Sequence, residues 1–379
     1  ETSGGTPDAN ITTPTSGQLD TGWTVGQKPV VSGYMNWFKW LTYKWISWFD
    51  SRERVLSLNN VASRFVNQGT INAGYVNTAV AEAPFSPYLL IAAGNIAGIA
   101  EIQSSPDGVT WTSRLTAGGA SRFYDIASNG STLLVAVGLN GTAGAGAELI
   151  YTSTNGTAWT VRAGPGDPTY GLTGVAFGNS IFVAVGLNAA VPVAWSSPDG
   201  ITWTDRTFTD ISDSATKPRV IYGNGLFVAV GNKGINTSPD GITWTNRLSG
   251  TTTLAAIVWT GSVFIAAGTG TEVYTSPDGI TWTVQASPGY SLGCTRLVST
   301  GAGVVLGNSG GVGPASGDGA ILTVDGTEWK TAPVYPSVVD PQTRSTDVPA
   351  LCWAPIRRCF VLGDAAGNGN LYVTDTILT

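Results

Sequence analysis

The chain has 379 residues, 50 of them glycine, with 42% hydrophobic residues, 12% charged residues and a formal net charge of -6. A sequence so rich in turn formers reads as all-β and is long enough for a large closed architecture. Its 19 basic residues are spread along the chain, which argues against nucleic acid as a partner, since duplex binding needs clustered Lys and Arg.

The sequence contains no histidine, which removes Ser-His and Cys-His pairs, the usual general base and most transition-metal sites. No metal and no cofactor is therefore expected. No apolar stretch is long enough to span a bilayer and the start lacks the layout of a signal peptide, so no membrane insertion is expected either. Cys294, Cys352 and Cys359 match no zinc spacing and read as buried thiols. Cys352 and Cys359 fall on two predicted strands joined by a short turn and could pair instead.

Residues 1–22 are rich in Thr, Ser, Gly and Pro and read as an extended arm. The segment GYMNWFKWLTYKWISWFDSRERV follows. Tyr34, Phe38, Leu41, Trp45 and Trp48 recur at spacings of 4, 3, 4 and 3, one seam of a helix of about four turns. Trp37, Trp40, Tyr43 and Phe49 widen that apolar surface, so the helix must bury itself against copies of itself or a larger partner. Only Lys39 and Lys44 are basic within it, which disfavours a membrane-surface helix.

From residue 104 to residue 330 one phrase returns six times: SPDGVTW, STNGTAW, SPDGITW three times, and TVDGTEW. The tryptophans are Trp111, Trp159, Trp203, Trp244, Trp282 and Trp329, with a mean spacing of about 44 residues, a period suited to a four-stranded blade repeated around an axis. In the unit 173–206, TGVAF is strand one, IFVAVG strand two, VAW strand three and ITWTDR strand four. Ser197-Pro198-Asp199-Gly200 makes the hairpin between the last two: Pro presets φ, Asp bonds its own backbone and Gly takes the left-handed position. On this reading Asp107, Asp199, Asp240 and Asp278 are turn parts. Trp203 and its equivalents pack between neighbouring blades.

The apolar second strand recurs seven times, from YLLIAAG to CFVLG, giving a seven-bladed β-propeller of four-stranded blades over 61–379, preceded by the arm and helix of 1–60. The last blade stops short of a fourth strand. Residues 63–69, SRFVNQG, could supply it within the chain, the preferred reading, or a neighbouring subunit could do so. Short uniform turns (strands one to two, three to four) then lie on one face. The connections that vary, such as 138–148, 163–171, 207–218, 307–319 and 331–348, lie on the other. Variable loops on a rigid scaffold are where binding usually sits. That face carries Asp167, Tyr170, Asp210, Asp213, Lys217, Tyr290, Tyr335, Asp340 and Arg344 as candidate receptor-binding groups.

The segment GWTVGQKPVVSGYMNWFKWLTYKWISWF, residues 22–49, resembles the virion-anchoring N-terminus of bacteriophage tail fibres. The repeats resemble propeller repeats of phage structural proteins and, more distantly, the Asp-box of sialidases, which has one more residue between its Asp and Gly. What the resemblance implies is a virion protein, anchor residues Trp23, Tyr34, Trp37, Phe38, Trp40, Leu41, Trp45 and Trp48, a homotrimer, and a propeller facing a host glycan or outer-membrane protein. A sialidase-like hydrolase would need an arginine cluster and a Tyr-Glu pair at the ring centre. Arg114, Arg162, Arg206 and Arg247 each follow a repeat tryptophan by three residues and read as repeat parts on outer strands. The expectation is thus a non-enzymatic fibre protein. A purely structural decoration or adaptor, a secreted lectin and a glycan hydrolase are the alternatives.

Overall fold

The computed structural model describes residues 65–70, 75–84, 88–141, 148–164, 170–188, 191–206, 217–232, 234–250, 253–268, 270, 272–285, 294, 296–299, 305–308, 320–323, 326–327, 330–332, 350–354, 359–363 and 370–374. The chain divides into two units, Glu1–Ser57 and Leu58–Thr379. The arm and aromatic helix expected over residues 1–60, with all eight anchor residues, lie outside the described residues.

Among the described residues, 28 strands form seven four-stranded antiparallel sheets. β1 (Phe65–Thr70) comes first and belongs to the last sheet. The first sheet in sequence is β2 (Tyr75–Glu82), β3 (Leu90–Ile96), β4 (Ile99–Ser105) and β5 (Thr112–Thr116). The second is β6 (Ser121–Ser128), β7 (Leu134–Asn140), β8 (Glu148–Ser153) and β9 (Thr160–Arg162). The third is β10 (Tyr170–Gly178), β11 (Ile181–Asn188), β12 (Val191–Ser197) and β13 (Thr204–Arg206). The fourth is β14 (Arg219–Gly223), β15 (Leu226–Gly231), β16 (Gly234–Ser238) and β17 (Thr245–Ser249). The fifth is β18 (Leu254–Trp259), β19 (Phe264–Gly268), β20 (Val273–Ser276) and β21 (Thr283–Gln285). The sixth is β22 (Leu297–Ser299), β23 (Val305–Asn308), β24 (Ala320–Thr323) and β25 (Lys330–Ala332). The seventh is β26 (Ala350–Ala354), β27 (Cys359–Gly363) and β28 (Asn370–Thr374), with β1 as its fourth strand.

The first strand of each sheet touches the first strand of the next, from β2 through β6, β10, β14, β18 and β22 to β26 and back to β2. Seven inner strands therefore surround one axis. β1 closes the ring, pairing with β28 from Phe65 opposite Thr374 to Thr70 opposite Asn370. Without it β28 would be an open edge. Because β1 is antiparallel to β28, it runs from the short-turn face toward the variable face, with Phe65 at its short-turn end.

The second strands are buried on both faces: Phe227, Val228, Ala229 and Val230 of β15 are all fully covered. A continuous apolar run fits this position because each face packs on a neighbouring sheet. Val135, Val137 and Ile150 of the second sheet cluster with Leu172, Phe182, Trp195 and Trp203 of the third. Each side chain of that size removed from water stabilises the fold by roughly 1.5–3 kcal/mol. The glycine that ends these runs has a separate cause. The inner strands carry bulges, as between Phe123 and Asp125 and between Leu172 and Gly174. A Cβ on Gly186 would lie 2.0 Å from the Gly171 carbonyl oxygen, and one on Gly138 2.2 Å from that of Arg122. The bulge presses backbone against strand two, and only glycine leaves room.

One local expectation is corrected. The fourth strand of the third sheet is Thr204–Arg206, and Thr202 and Trp203 lie in the turn before it rather than in the strand. Asp199 Oδ1 accepts from the amides of Ile201 and Thr202, both at 2.8 Å, so those amides are taken from the ladder. Cys294 is a buried thiol, outside any disulfide, whose Sγ donates to the Arg296 carbonyl at 3.2 Å and whose pKa burial pushes up to about 12. In the seventh sheet Cys352 stands opposite Val361 and Cys359 opposite Ala354, so the two are offset by two residues rather than paired across the strands.

Candidate functional site at the ring axis

The repeat residues turn out to be fastenings of the scaffold. In the first sheet Asp107 Oδ1 accepts from Val109 N at 2.8 Å, Thr110 N at 2.7 Å and Ser105 Oγ at 2.9 Å. The amide of Thr110, then that of Val109, holds its pKa down at about 2. Asp199, Asp240 and Asp278 repeat the arrangement, and Asn155 makes it without a charge, at 2.9 and 2.8 Å. The indole nitrogens of Trp111, Trp203 and Trp282 donate to the carbonyls of Gly108, Gly200 and Gly279 at 3.1, 3.2 and 3.1 Å. Trp159, Trp203, Trp244 and Trp282 each pack into a cluster shared with the preceding sheet. Trp329 lies outside the described residues. Arg114, Arg162, Arg206 and Arg247 clamp the outer edge: each Nε donates to a Ser or Thr hydroxyl of strand three, at 2.7 to 2.9 Å.

A different set of charges converges at the axis. Asp125 comes from the bulge of β6 in the second sheet, Arg219 from the first position of β14 in the fourth, and Arg296 from the residue before β22 in the sixth. Arg296 Nη1 donates to Asp125 Oδ1 at 3.0 Å, and its Nη2 donates to the carbonyls of Thr78, at 2.8 Å, and Tyr124. This one guanidinium joins the sixth sheet to the first and second across the ring. Arg219 Nη1 donates to the carbonyls of Thr173 and Tyr124, and stands 3.8 Å from Asp125 Oδ2. That oxygen accepts instead from the Val175 amide at 3.1 Å. Burial, then the neighbouring Arg296, lowers the Arg219 pKa to about 9, which leaves it a cation at neutral pH.

Inner strands start at the variable face and run toward the short-turn face; Arg219 is level with Gly174, the fifth of the nine residues of β10, so it sits part-way down the axis, with Lys217 ahead of it toward the variable-face mouth. A cavity of about 170 Å³ adjoins Arg219 and Arg296, walled by Asp125, Val175, Val220, Ile221, Ala256, Ile257 and Leu297. Lys217, two residues ahead of Arg219, holds its ammonium 4.2 Å from the centre of the Tyr124 ring, and the Arg122 guanidinium lies 5.9 Å from the same ring. The mouth is thus locally cationic in a chain of net charge -6.

Of the nine candidate receptor-binding residues, Lys217 is the one whose side chain is described, exposed beside this mouth. Tyr170 is the first residue of β10, placed by its backbone. Asp167, Asp210, Asp213, Tyr290, Tyr335, Asp340 and Arg344 lie outside the described residues. Sequence reasoning passed over Asp125, Arg219 and Arg296 because none belongs to the repeated phrase. The available signal was a charge in a strand otherwise apolar.

No family model matches the chain, and no curated protein matches it in sequence. Solved structures do. Virginiamycin B lyase from Staphylococcus aureus matches with a TM-score of 0.62 at 9% identity, over 82% of this chain and 98% of that one. A streptogramin B lyase matches with a TM-score of 0.63 at 8% identity, over 83% and 99%. The catalytically inactive histidine-to-alanine variant of the Staphylococcus aureus lyase, with quinupristin, gives 0.63 at 9%, over 82% and 98%. The fold is an all-β propeller. Likeness at this identity extends to the fold alone. It nevertheless corrects the expectation of a non-enzymatic chain, because propellers of this shape include lyases. Lack of histidine removes one kind of catalytic group only, and beyond the repeat arginines of the rim the axis holds Arg219 and Arg296.

Proposed function

We propose that this chain is a bacteriophage virion appendage, held to the particle through residues 1–60 and presenting the variable face of its propeller to the host surface. The observation that carries the reading is the direction of β1. β1 begins at the short-turn face, while Lys217 and the starts of the inner strands lie at the opposite end. The resemblance of residues 22–49 to fibre anchors supplies the particle. Host-surface carbohydrate or an outer-membrane protein is the counterpart, met by several copies so that weak single contacts multiply. Copies joined as a trimer through the aromatic segment fit that geometry.

The test is deletion of residues 1–57 in the phage. The reading expects particles that lack the protein and adsorb poorly, and a soluble propeller that, in multivalent form, competes with intact phage for host cells. Particles that retain the truncated chain would overturn the anchor. A folded multivalent propeller that leaves adsorption unchanged would overturn the recognition face and leave a structural decoration. The lyase likeness favours a second reading, chemistry on whatever the mouth holds. The histidine replaced in the inactive lyase variant has no counterpart in a chain without histidine, so such chemistry would rest on Tyr124, Asp125 and the two arginines. Release of new chain ends from host polysaccharide reads it directly.

A further inference from the structure

Among the described residues Asp125 is the one carboxylate beside the two guanidiniums, and both of its oxygens are engaged, one by Arg296 Nη1 at 3.0 Å and the other by the Val175 amide at 3.1 Å. Arg296 is well met, with both Nη atoms bonded. Arg219 is not. Its contacts run through Nη1, and its nearest Asp125 oxygen is 3.8 Å away, beyond hydrogen-bond reach. Among the described residues the structure gives Nε and Nη2 no protein partner. Those two atoms form the side edge of the guanidinium fork, two parallel donors that match the two oxygens of a carboxylate. Arg219 is only 14% exposed, so bulk water compensates its charge poorly. It lines the cavity of about 170 Å³, whose other walls are aliphatic apart from Asp125 and Arg296, already paired with each other.

We propose that the Nε–Nη2 edge of Arg219 is a binding site for the carboxylate of an acidic sugar, seated in this axial cavity from the variable face. A carboxylate there completes the pairing that Asp125 leaves undone. Lys217 and Arg122, gathered about Tyr124 at the same end, raise the local potential and draw an anion toward the mouth. The aliphatic walls of Val175, Val220, Ile221 and Leu297 suit the C–H face of a sugar ring and set the size of the guest. The sugar rests on the host-surface reading above; the oxyanion site rests on Arg219 alone.

Titration of the full chain with glucuronate, glucose, acetate and inorganic phosphate, followed by calorimetry or ligand-observed NMR, tests the site. Glucuronate should bind roughly ten-fold or more tightly than glucose, and Arg219→Met should weaken it by at least a similar factor. Arg206→Met, on the outer rim, should leave binding unchanged. Thermal melts check that each variant is folded. Should Arg219→Met fail to fold, Arg219→Lys keeps the charge without the two-donor edge and should still lose most of the preference for glucuronate over glucose. Equal binding of glucuronate and glucose, or unchanged binding in the Arg219 variants, overturns the site. Acetate or phosphate bound as tightly as glucuronate overturns the sugar while retaining the oxyanion. Binding that obeys Arg219 in a phage whose adsorption ignores it would defeat the host-recognition reading and leave this one standing.

Discussion

Gly241 and Gly225 offer a paired measurement of how much the repeated turn contributes by locking one sheet to the next. Both are in the left-handed region, at φ 68 and φ 77. They differ in surroundings. A Cβ on Gly241 would lie 2.6 Å from Val183 Cγ2 and 2.8 Å from Ile181 Cδ1, both in β11 of the preceding sheet, whereas one on Gly225 meets nothing within 4 Å. Gly225→Ala should therefore cost only the conformational strain, about 1–2 kcal/mol. Gly241→Ala adds forced movement of a packed core, a further ~1–3 kcal/mol, so about 2–5 kcal/mol altogether. Urea unfolding of the full chain, followed by tryptophan fluorescence, gives the difference as a shift in midpoint at constant slope. Two variants equal within error would refute the argument, since inter-sheet contact would then add nothing to local strain.

Further outcomes can be checked in the same assay. Asp199→Ala should destabilise by about 1 kcal/mol, the scale of a lost side-chain cap, while Asp199→Asn should cost less, because Asn155 shows that an uncharged oxygen can accept the same two amides and only the charge is lost; equal effects would mean that the charge matters and the acceptor does not. The turn carboxylates have folded pKa values below the ordinary 3.8, about 2 for Asp107. Their contribution is complete above pH 4 and should disappear as pH falls from about 4 toward 2; a stability that stays flat across that window contradicts the assignment. Asp125→Ala leaves Arg219 and Arg296 facing each other and should cost about 3 kcal/mol, partly restored by added sulfate. A loss indifferent to sulfate would mean that repulsion between the guanidiniums is not its cause.

Much of the ring was legible because its parts recur. The seven apolar runs correspond to β3, β7, β11, β15, β19, β23 and β27, each the second strand of its sheet. The Ser-Pro-Asp-Gly turn was readable from proline, aspartate and glycine chemistry. Its reach was not: Asp199 caps the amides two and three residues on, which carries the turn through Trp203 and shortens β13. The glycine late in the second strand was visible, yet for Gly138 and Gly186 its reason lies in a bulge on a different strand, which no single-strand pattern reveals. The axial cluster was hidden for the opposite reason. Asp125, Arg219 and Arg296 occur once each, 171 residues separate the members of the Asp125–Arg296 pair, and only closure of the ring brings them together.

The pairing of β1 with β28 has a mechanical consequence. A pull on the chain ahead of Phe65, directed away from the short-turn face, acts along the length of β1. The five paired positions from Phe65 to Thr70 are then loaded together in shear, rather than opened one after another as in a zipper. The ring's seam is thus placed where tension on a tether is shared across its whole length, and release of β1 would free the seventh sheet and the ring in a single event.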